Sequence, residues 1–226
     1  MRVGIIAPIA MLDKYCVTKT QYCLPRLIVE NATYRDFYQK KVKEGKIVIM
    51  DLKKPSWKRE PEDWEIVEQA LKVIKPEIII LPSCTFEKDK TVRVALQYSR
   101  ALRNKDYEVW PCLEGTSKEE VRTCQRSLKD VNEGLWYALP SYLYSVAEHK
   151  GKTMMYIENH MSMGELDGCG NAILVTSLPI RLGLEGRLIT DYRPSPPSLT
   201  FMETEDRFPK VTERNVRTLI DYYEIP

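Results

Sequence analysis

Polar side chains follow several apolar runs of this chain at the points where those runs end. Asp51 directly follows "KIVIM", Ser83 follows "IIILP", and Glu114 with Gly115 follows "VWPCL". A carboxyl group at such a position can donate or accept a proton, and an adjacent glycine lets a ligand approach the backbone closely. The catalytic candidates are Asp51, Glu114, Glu158 and His160, and the substrate-binding candidates are Ser83, Gly115, Ser141, Asn159, Ser177 and Arg181.

Each of these residue types also has an ordinary structural role. Asp51 could cap the exit of a strand, and Glu114 could cap the helix that begins near Ser117. His160 could relay a proton or simply support the structure. Arg181 could bind a phosphate with two hydrogen bonds or lie on the surface. The spacing of the residues alone supports no Ser/His/Asp or Cys/His triad.

The elements that must position these side chains alternate along the chain. Apolar runs alternate with amphipathic segments, a pattern typical of parallel α/β proteins whose strands are covered on both faces. We predict helices at 19–43, 61–75, 89–104, 116–131 and 212–223. We predict strands at 2–8, 46–52, 76–84, 107–115, 134–143, 152–160 and 171–177, with 186–192 as an eighth.

Eight repeats favour a compact (β/α)₈ TIM-type barrel of parallel strands, and a doubly wound open sheet is the alternative. In a barrel the carboxyl ends of the strands form the functional face, which would gather the candidate residues. We expect one domain over 1–226, with a Pro-rich loop at 193–210 before the last helix.

The composition is that of an ordinary globular protein, with 43% hydrophobic residues and a formal net charge of +2. No apolar run approaches 18 residues, so we expect no membrane span, and the N-terminus does not resemble a signal peptide. We therefore expect a cytoplasmic protein, in the host cell if the chain is phage-encoded.

The six cysteines include no C-x-x-C pair, and there are only two histidines. A structural zinc site is poorly supported, and the thiols are predicted to be free and buried. No glycine-rich nucleotide-binding motif follows a strand. We therefore predict neither a metal nor a cofactor.

Basic residues cluster at 53–59, "KKPSWKR", and at 102–105, "LRNK". Trp57 among four cations suits a nucleic-acid backbone or a stacked base, and a solvated loop is the alternative.

The order of the strand-end motifs resembles the tRNA-guanine transglycosylase superfamily, most of all the short phage and archaeal members that insert 7-deazaguanines into DNA. The segments that carry this resemblance extend from "RVGIIAP" to about Arg187, and they include "PEIIILPS", "CLEGTSKEE", "YALPSYL", "YIENHMSMGEL" and "SLPIRLGLEGR". The resemblance implies a (β/α)₈ barrel and base exchange through an aspartyl-sugar intermediate. It also implies that the target nucleotide is taken out of its helix.

Carried over by position, the resemblance makes Asp51 the acid/base. Ser83 stands where the family has a base-reading Asp, and Glu114 stands where it has a Gln. The nucleophile position is Val175, which cannot form a glycosyl ester. The family's exchange therefore cannot proceed through that position, and the base pocket would differ from the family's.

The function predicted from the resemblance is a glycosyltransferase-like (pentosyltransferase-like) enzyme that modifies a nucleobase in DNA. The partner would be a nucleic acid, DNA before tRNA, or a nucleoside or nucleobase; a homodimer or heterodimer stays open. The alternatives are a non-catalytic nucleic-acid-binding or partner subunit of a transglycosylase-like complex, and a small-molecule enzyme on an open α/β sheet.

Overall fold

Eight parallel strands form the centre of the computed structural model, which describes residues 1–56, 58–103, 107–131, 136–143, 154–157, 172–191 and 206–224. Hydrogen-bonded neighbours follow the order β5-β4-β3-β2-β1-β8-β7-β6, and every pair is parallel. The strands are β1 (Arg2–Ile5), β2 (Thr20–Cys23), β3 (Ile47–Asp51), β4 (Ile78–Ile80), β5 (Glu108–Trp110), β6 (Tyr137–Pro140), β7 (Met154–Ile157) and β8 (Ala172–Thr176).

The two ends of this sheet meet beyond the last residue of β5. Cys112 and Ala138 form a parallel bridge. The Leu113 amide donates to the Ala138 carbonyl at 3.0 Å, and the Ala138 amide donates to the Pro111 carbonyl at 2.9 Å. These bonds join β5 to β6 and close the sheet. The chain is therefore a TIM-type (β/α)₈ barrel, as predicted, and the open-sheet alternative is wrong.

Helices follow the strands on the outside of the barrel. They are α1 (Leu12–Tyr15), α2 (Pro25–Glu30), α3 (Ala32–Lys43), α4 (Trp64–Val73), α5 (Lys88–Leu102), α6 (Lys118–Ser127), α7 (Leu178–Leu184) and α8 (Pro209–Tyr223). Ser117 caps α6 by accepting a hydrogen bond from the Glu120 amide. Helix α8 starts at Pro209, three residues before the predicted start at Thr212. Thr212 therefore lies inside the helix, where it packs against α7 at Gly183.

Alternating strand residues fill two separate hydrophobic cores. One set, including Val48, Met50 and Ile79, packs under the helices against residues such as Phe37 and Leu71. The other set fills the barrel interior: Ile6, Tyr22, Leu24, Ile49, Ile78, Ile80, Trp110, Cys112, Ala138, Ile173 and Val175. Because side chains alternate across a strand, residues two positions beyond Ile49 and Cys112 also face inward. Those residues are Asp51 and Glu114.

Two sequence predictions about single elements are wrong. The segment 19–43 was predicted to be helical, but residues Thr20–Cys23 form β2, and two helices, α2 and α3, follow it. The segment 186–192 was predicted to be the last strand, but Ile189–Asp191 is a 3₁₀ turn. The two errors compensate, so the predicted number of strands agrees with the structure.

Within the described residues, no helix is long and apolar enough to cross a membrane. In the parts of the chain that the structure describes, five cysteines are free and buried: Cys16, Cys23, Cys84, Cys112 and Cys124. Burial raises the pKa of Cys16 and Cys112 to about 12, so these thiols stay protonated at neutral pH.

Candidate functional site

Arg59 lies at the centre of a buried polar network at the barrel mouth. Its side chain is 1% exposed, although it comes from the loop between β3 and α4. One terminal nitrogen donates to Asp51 Oδ1 at 2.7 Å, and Nε donates to Ser83 Oγ at 2.7 Å. Thr85 fixes the backbone of Arg59, because the Arg59 amide donates to Thr85 Oγ1 at 2.6 Å and the Thr85 amide donates to the Arg59 carbonyl at 3.1 Å. A single guanidinium thus joins the ends of β3 and β4.

Glu114 extends the network to the end of β5. Ser83 Oγ donates to Glu114 Oε1 at 3.2 Å, and the Phe86 amide donates to Glu114 Oε2 at 3.1 Å. The Tyr142 hydroxyl also donates to Oε1, at 2.7 Å. Glu114 is 0% exposed, whereas the Tyr142 residue above it is 39% exposed. The Tyr142 side chain therefore separates Glu114 from solvent.

Tyr22 completes the network on the side of β2. Its hydroxyl donates to Asp51 Oδ2 at 2.7 Å, so both oxygens of the buried Asp51 carboxylate have a donor. A buried ion pair is tolerated only when its remaining hydrogen-bonding capacity is filled in this way. Side chains from five consecutive strand ends, β2 to β6, thus form one connected chain of hydrogen bonds.

The two carboxyl groups have different environments. Asp51 has the guanidinium of Arg59 as a direct ionic partner at 2.7 Å. For Glu114, burial is the largest influence and raises the pKa above its ordinary value of 4.5. The hydrogen bond from Tyr142 and the charge of Arg59 oppose that shift. Burial of the Tyr142 hydroxyl, together with the charge of Glu114, raises the pKa of the tyrosine, so Tyr142 remains a donor at neutral pH.

This arrangement suits proton transfer. A buried carboxyl with a raised pKa can take and return a proton, and a fixed guanidinium nearby stabilises negative charge that develops on a reacting molecule. Pairs of carboxyl groups in contrasting environments are typical of sites that divide acid/base and electrostatic roles.

Three of the predicted site residues come together here. Asp51, Ser83 and Glu114 were predicted from their positions after apolar runs, and the network joins all three. Arg59, Tyr22 and Tyr142 were missed as members. Tyr22 belongs to the strand that was predicted to be helix, and Arg59 lies in a loop where only its charge was noted.

Other predicted residues lie outside the network. A side chain at Gly115 would meet Glu120 Cβ at 2.8 Å, so this glycine allows α6 to pack closely. Ser177 and Arg181 belong to the β8–α7 junction and are 7% and 5% exposed.

The remaining predicted residues fall outside the described parts of the chain. These are Glu158, Asn159 and His160, and for Ser141 the structure describes the backbone alone. Their assignment to the site stays a prediction. Among the described residues, no group of three or more His, Cys, Asp or Glu side chains could hold a metal ion.

The basic segment 53–59 lies only partly on the surface. Lys53 is 0% exposed, and its Nζ donates to the Ser56 carbonyl at 2.9 Å. Arg59 is equally buried in the network, and Trp57 lies outside the described residues. Two of the four cations are therefore used inside the protein and cannot contact a phosphate backbone.

Comparison with known proteins shows the fold. No protein-family model matches the chain, and no curated protein matches its sequence. D-Psicose 3-epimerase with D-tagatose from Clostridium cellulolyticum H10 superposes with a TM-score of 0.53 at 10% identity, covering 99% of this chain and 98% of that one. D-Psicose 3-epimerase in the presence of D-fructose gives a TM-score of 0.52 at 8% identity, covering 98% and 99%.

These matches correct the resemblance to the tRNA-guanine transglycosylase superfamily, which is wrong. The neighbouring barrels are sugar enzymes, so the predicted nucleobase exchange, the glycosyltransferase class and the nucleic-acid partner are wrong as well. The physical reason is that the order of these motifs reflects the fold and not the function, because strand ends recur in the same order in every eight-stranded barrel. At the nucleophile position, Val175 is 0% exposed and packs in the barrel interior.

Proposed function

We propose that this chain is an enzyme that moves a proton on a small sugar or sugar-like hydroxycarbonyl compound, in the class of isomerases, epimerases and lyases. The observation that carries the proposal is the network in which Arg59 joins Asp51, Ser83 and Glu114 at the mouth of the barrel. In barrels of this kind, the catalytic groups come from the ends of several strands at this face.

Glu114 is the group that would take the proton. Its Oε1 accepts from Tyr142, which is partly exposed, so a substrate that displaces the Tyr142 hydroxyl would place its reacting C–H group against the carboxyl directly. Removing a proton next to a carbonyl group leaves negative charge on oxygen, and Arg59 supplies the nearest fixed positive charge. Asp51 would act through Arg59 by holding the guanidinium in place.

The structural neighbours support the substrate class. The two barrels compared above are D-psicose 3-epimerases, and the structures are described with D-tagatose and D-fructose respectively. Shared fold alone does not transfer a reaction. The contribution of this chain is its own buried carboxyl, guanidinium and tyrosine at the corresponding end of the barrel.

The test is exchange of carbon-bound hydrogen with solvent. The full chain is incubated in D₂O with D-psicose, D-fructose or D-tagatose, and loss of sugar C–H signals is followed by proton NMR. We expect exchange with at least one ketohexose, and a decrease of about 100-fold or more for Glu114→Gln, the range that general acid/base groups contribute.

Glu119→Gln is the matched control, because Glu119 is exposed on α6 and pairs only at the surface with Arg126. It should exchange like the wild type. The proposal fails if none of the three sugars exchanges, or if Glu114→Gln exchanges as fast as the control.

A further inference from the structure

Two aromatic side chains flank Glu114 at the surface. Phe86 is 50% exposed and Tyr142 is 39% exposed. Their ring centroids lie 5.0 Å apart with the planes at 60°. Both residues also bond to the carboxylate between them: the Phe86 amide donates to Oε2, and the Tyr142 hydroxyl donates to Oε1. An apolar surface is thus attached directly to the proposed proton-transferring group.

Phe86 has an unfavourable backbone conformation. Its φ is +62°, and it is the one non-glycine residue with positive φ in the part of the chain that the structure describes. The Glu87 amide donates to the Cys84 carbonyl at 2.9 Å, so Phe86 is the third residue of a tight turn. At that position a positive φ strongly favours glycine or asparagine, and a bulky aromatic residue there is disfavoured.

The surrounding network keeps Phe86 in this conformation. Thr85 pairs with the backbone of Arg59 on one side, and the Phe86 amide is fixed by Glu114 on the other. Burial does not explain the aromatic ring, since half of it is exposed. Strained residues that their neighbours hold in place concentrate at binding and catalytic sites.

We propose that Phe86 and Tyr142 form the aromatic wall of the sugar-binding site, against which one C–H face of the substrate packs while its reacting C–H group is held beside Glu114. This inference rests on the proposed function and names the surface that orients the sugar. The negative face of an aromatic ring attracts the slightly positive hydrogens on carbons that carry oxygen. Sites for small molecules commonly combine such apolar walls with a few convergent polar groups.

The experiment is saturation-transfer NMR between the protein's aromatic protons and D-psicose, D-fructose or D-tagatose, with dissociation constants from titration. Phe86→Gly should weaken binding about fivefold or more, the loss expected for one stacked ring. Its melting temperature should equal or exceed that of the wild type, because glycine accepts the positive φ. Phe86→Tyr keeps the ring and should bind like the wild type.

Phe208→Ala is the matched control, since Phe208 is similarly exposed at 46% but lies at the start of α8 against Gly186. It should bind like the wild type. If Phe86→Gly binds sugar as tightly as the control, the aromatic wall is refuted and the proposed function stands. If Phe86→Gly loses binding while Glu114→Gln still exchanges hydrogen at the wild-type rate, the wall stands and the proposed function fails. If the wild type binds none of the three sugars, both are overturned.

Discussion

The ends of β3 and β8 face the same barrel interior with opposite chemistry. Asp51 is the last residue of β3, and Val175 is the penultimate residue of β8; both are 0% exposed. Asp51 has the donors Arg59 and Tyr22. Val175 packs in the apolar core and approaches β1, where a side chain on Gly4 would lie 3.3 Å from its Cγ2. The described polar site therefore lies on the β2–β6 side of the mouth.

This difference shows that position at a strand end does not by itself make a residue functional. A buried carboxylate needs a complete set of partners, and here Arg59 must reach back from the next loop to provide one. Val175 on β8 packs among apolar side chains and needs no such support.

Removing the central cation should have the largest effect. Arg59→Met keeps most of the side-chain volume but leaves the Asp51 carboxylate buried without its ion pair. We expect the free energy of unfolding to fall by about 3–5 kcal/mol, measured by urea denaturation at pH 7. The double variant Asp51→Asn with Arg59→Met should lose less than the sum of the two single variants, because no unpaired charge remains. A loss below about 1 kcal/mol, as for an exposed pair, would contradict the account.

Removing a hydroxyl from the polar network and adding one at Val175 should each have a smaller effect. The network needs its hydroxyl as a hydrogen-bond partner, whereas Val175 packs among apolar side chains. Ser83→Ala removes the acceptor of Arg59 Nε and should cost about 1–3 kcal/mol. Val175→Thr keeps the shape of the side chain but replaces a methyl group with a hydroxyl where the core is apolar. It should also lower the free energy of unfolding by about 1–3 kcal/mol. Thermal and urea unfolding measure both. A neutral Val175→Thr variant would show that the β8 end is not the apolar region described here.

The smallest effect should be a dependence of stability on pH that comes from Glu114. Its pKa is raised in the folded state above 4.5, so the native protein holds this proton at pH values where the unfolded chain has lost it. The contribution of Glu114 to stability should therefore be greatest at or below about pH 4.5 and decline as pH rises through the folded-state pKa. Glu114→Gln should lack this decline when unfolding curves are compared across that range. If the free energy of unfolding changed with pH by the same amount in both proteins, the raised pKa of Glu114 would be contradicted.

The sequence predicts most of the fold because parallel strands buried on both faces appear as short apolar runs. Seven strands were located in this way. Strand β2 was missed because "TQYC" contains two polar residues within four and directly precedes strongly helical segments. The triplet "ITD" was mistaken for part of a strand because its neighbours are apolar or aromatic, although it forms a 3₁₀ turn.

The site was predicted only in part, for a related reason. Asp51, Ser83 and Glu114 follow apolar runs, so the rule that barrel strands carry function at their ends identifies them. Arg59 does not directly follow a strand, and its partner Ser83, just beyond β4, is 24 residues away in the chain, so no local pattern reveals it. Tyr142 was not predicted, although its neighbour Ser141 was, because an exposed tyrosine has no distinguishing signal in the sequence. Only the hydrogen bond from its hydroxyl to Glu114 reveals it.

The most direct test of the central claim is a carbon-13 NMR titration of the glutamate side-chain carboxyls, with the Glu114 resonance assigned by comparison with Glu114→Gln. We expect a midpoint above 4.5 for Glu114, and a change in its chemical shift when D-psicose, D-fructose or D-tagatose is added. A midpoint at or below 4.5 together with no response to any of the three sugars would contradict the assignment of Glu114 as the proton-transferring group of a sugar site.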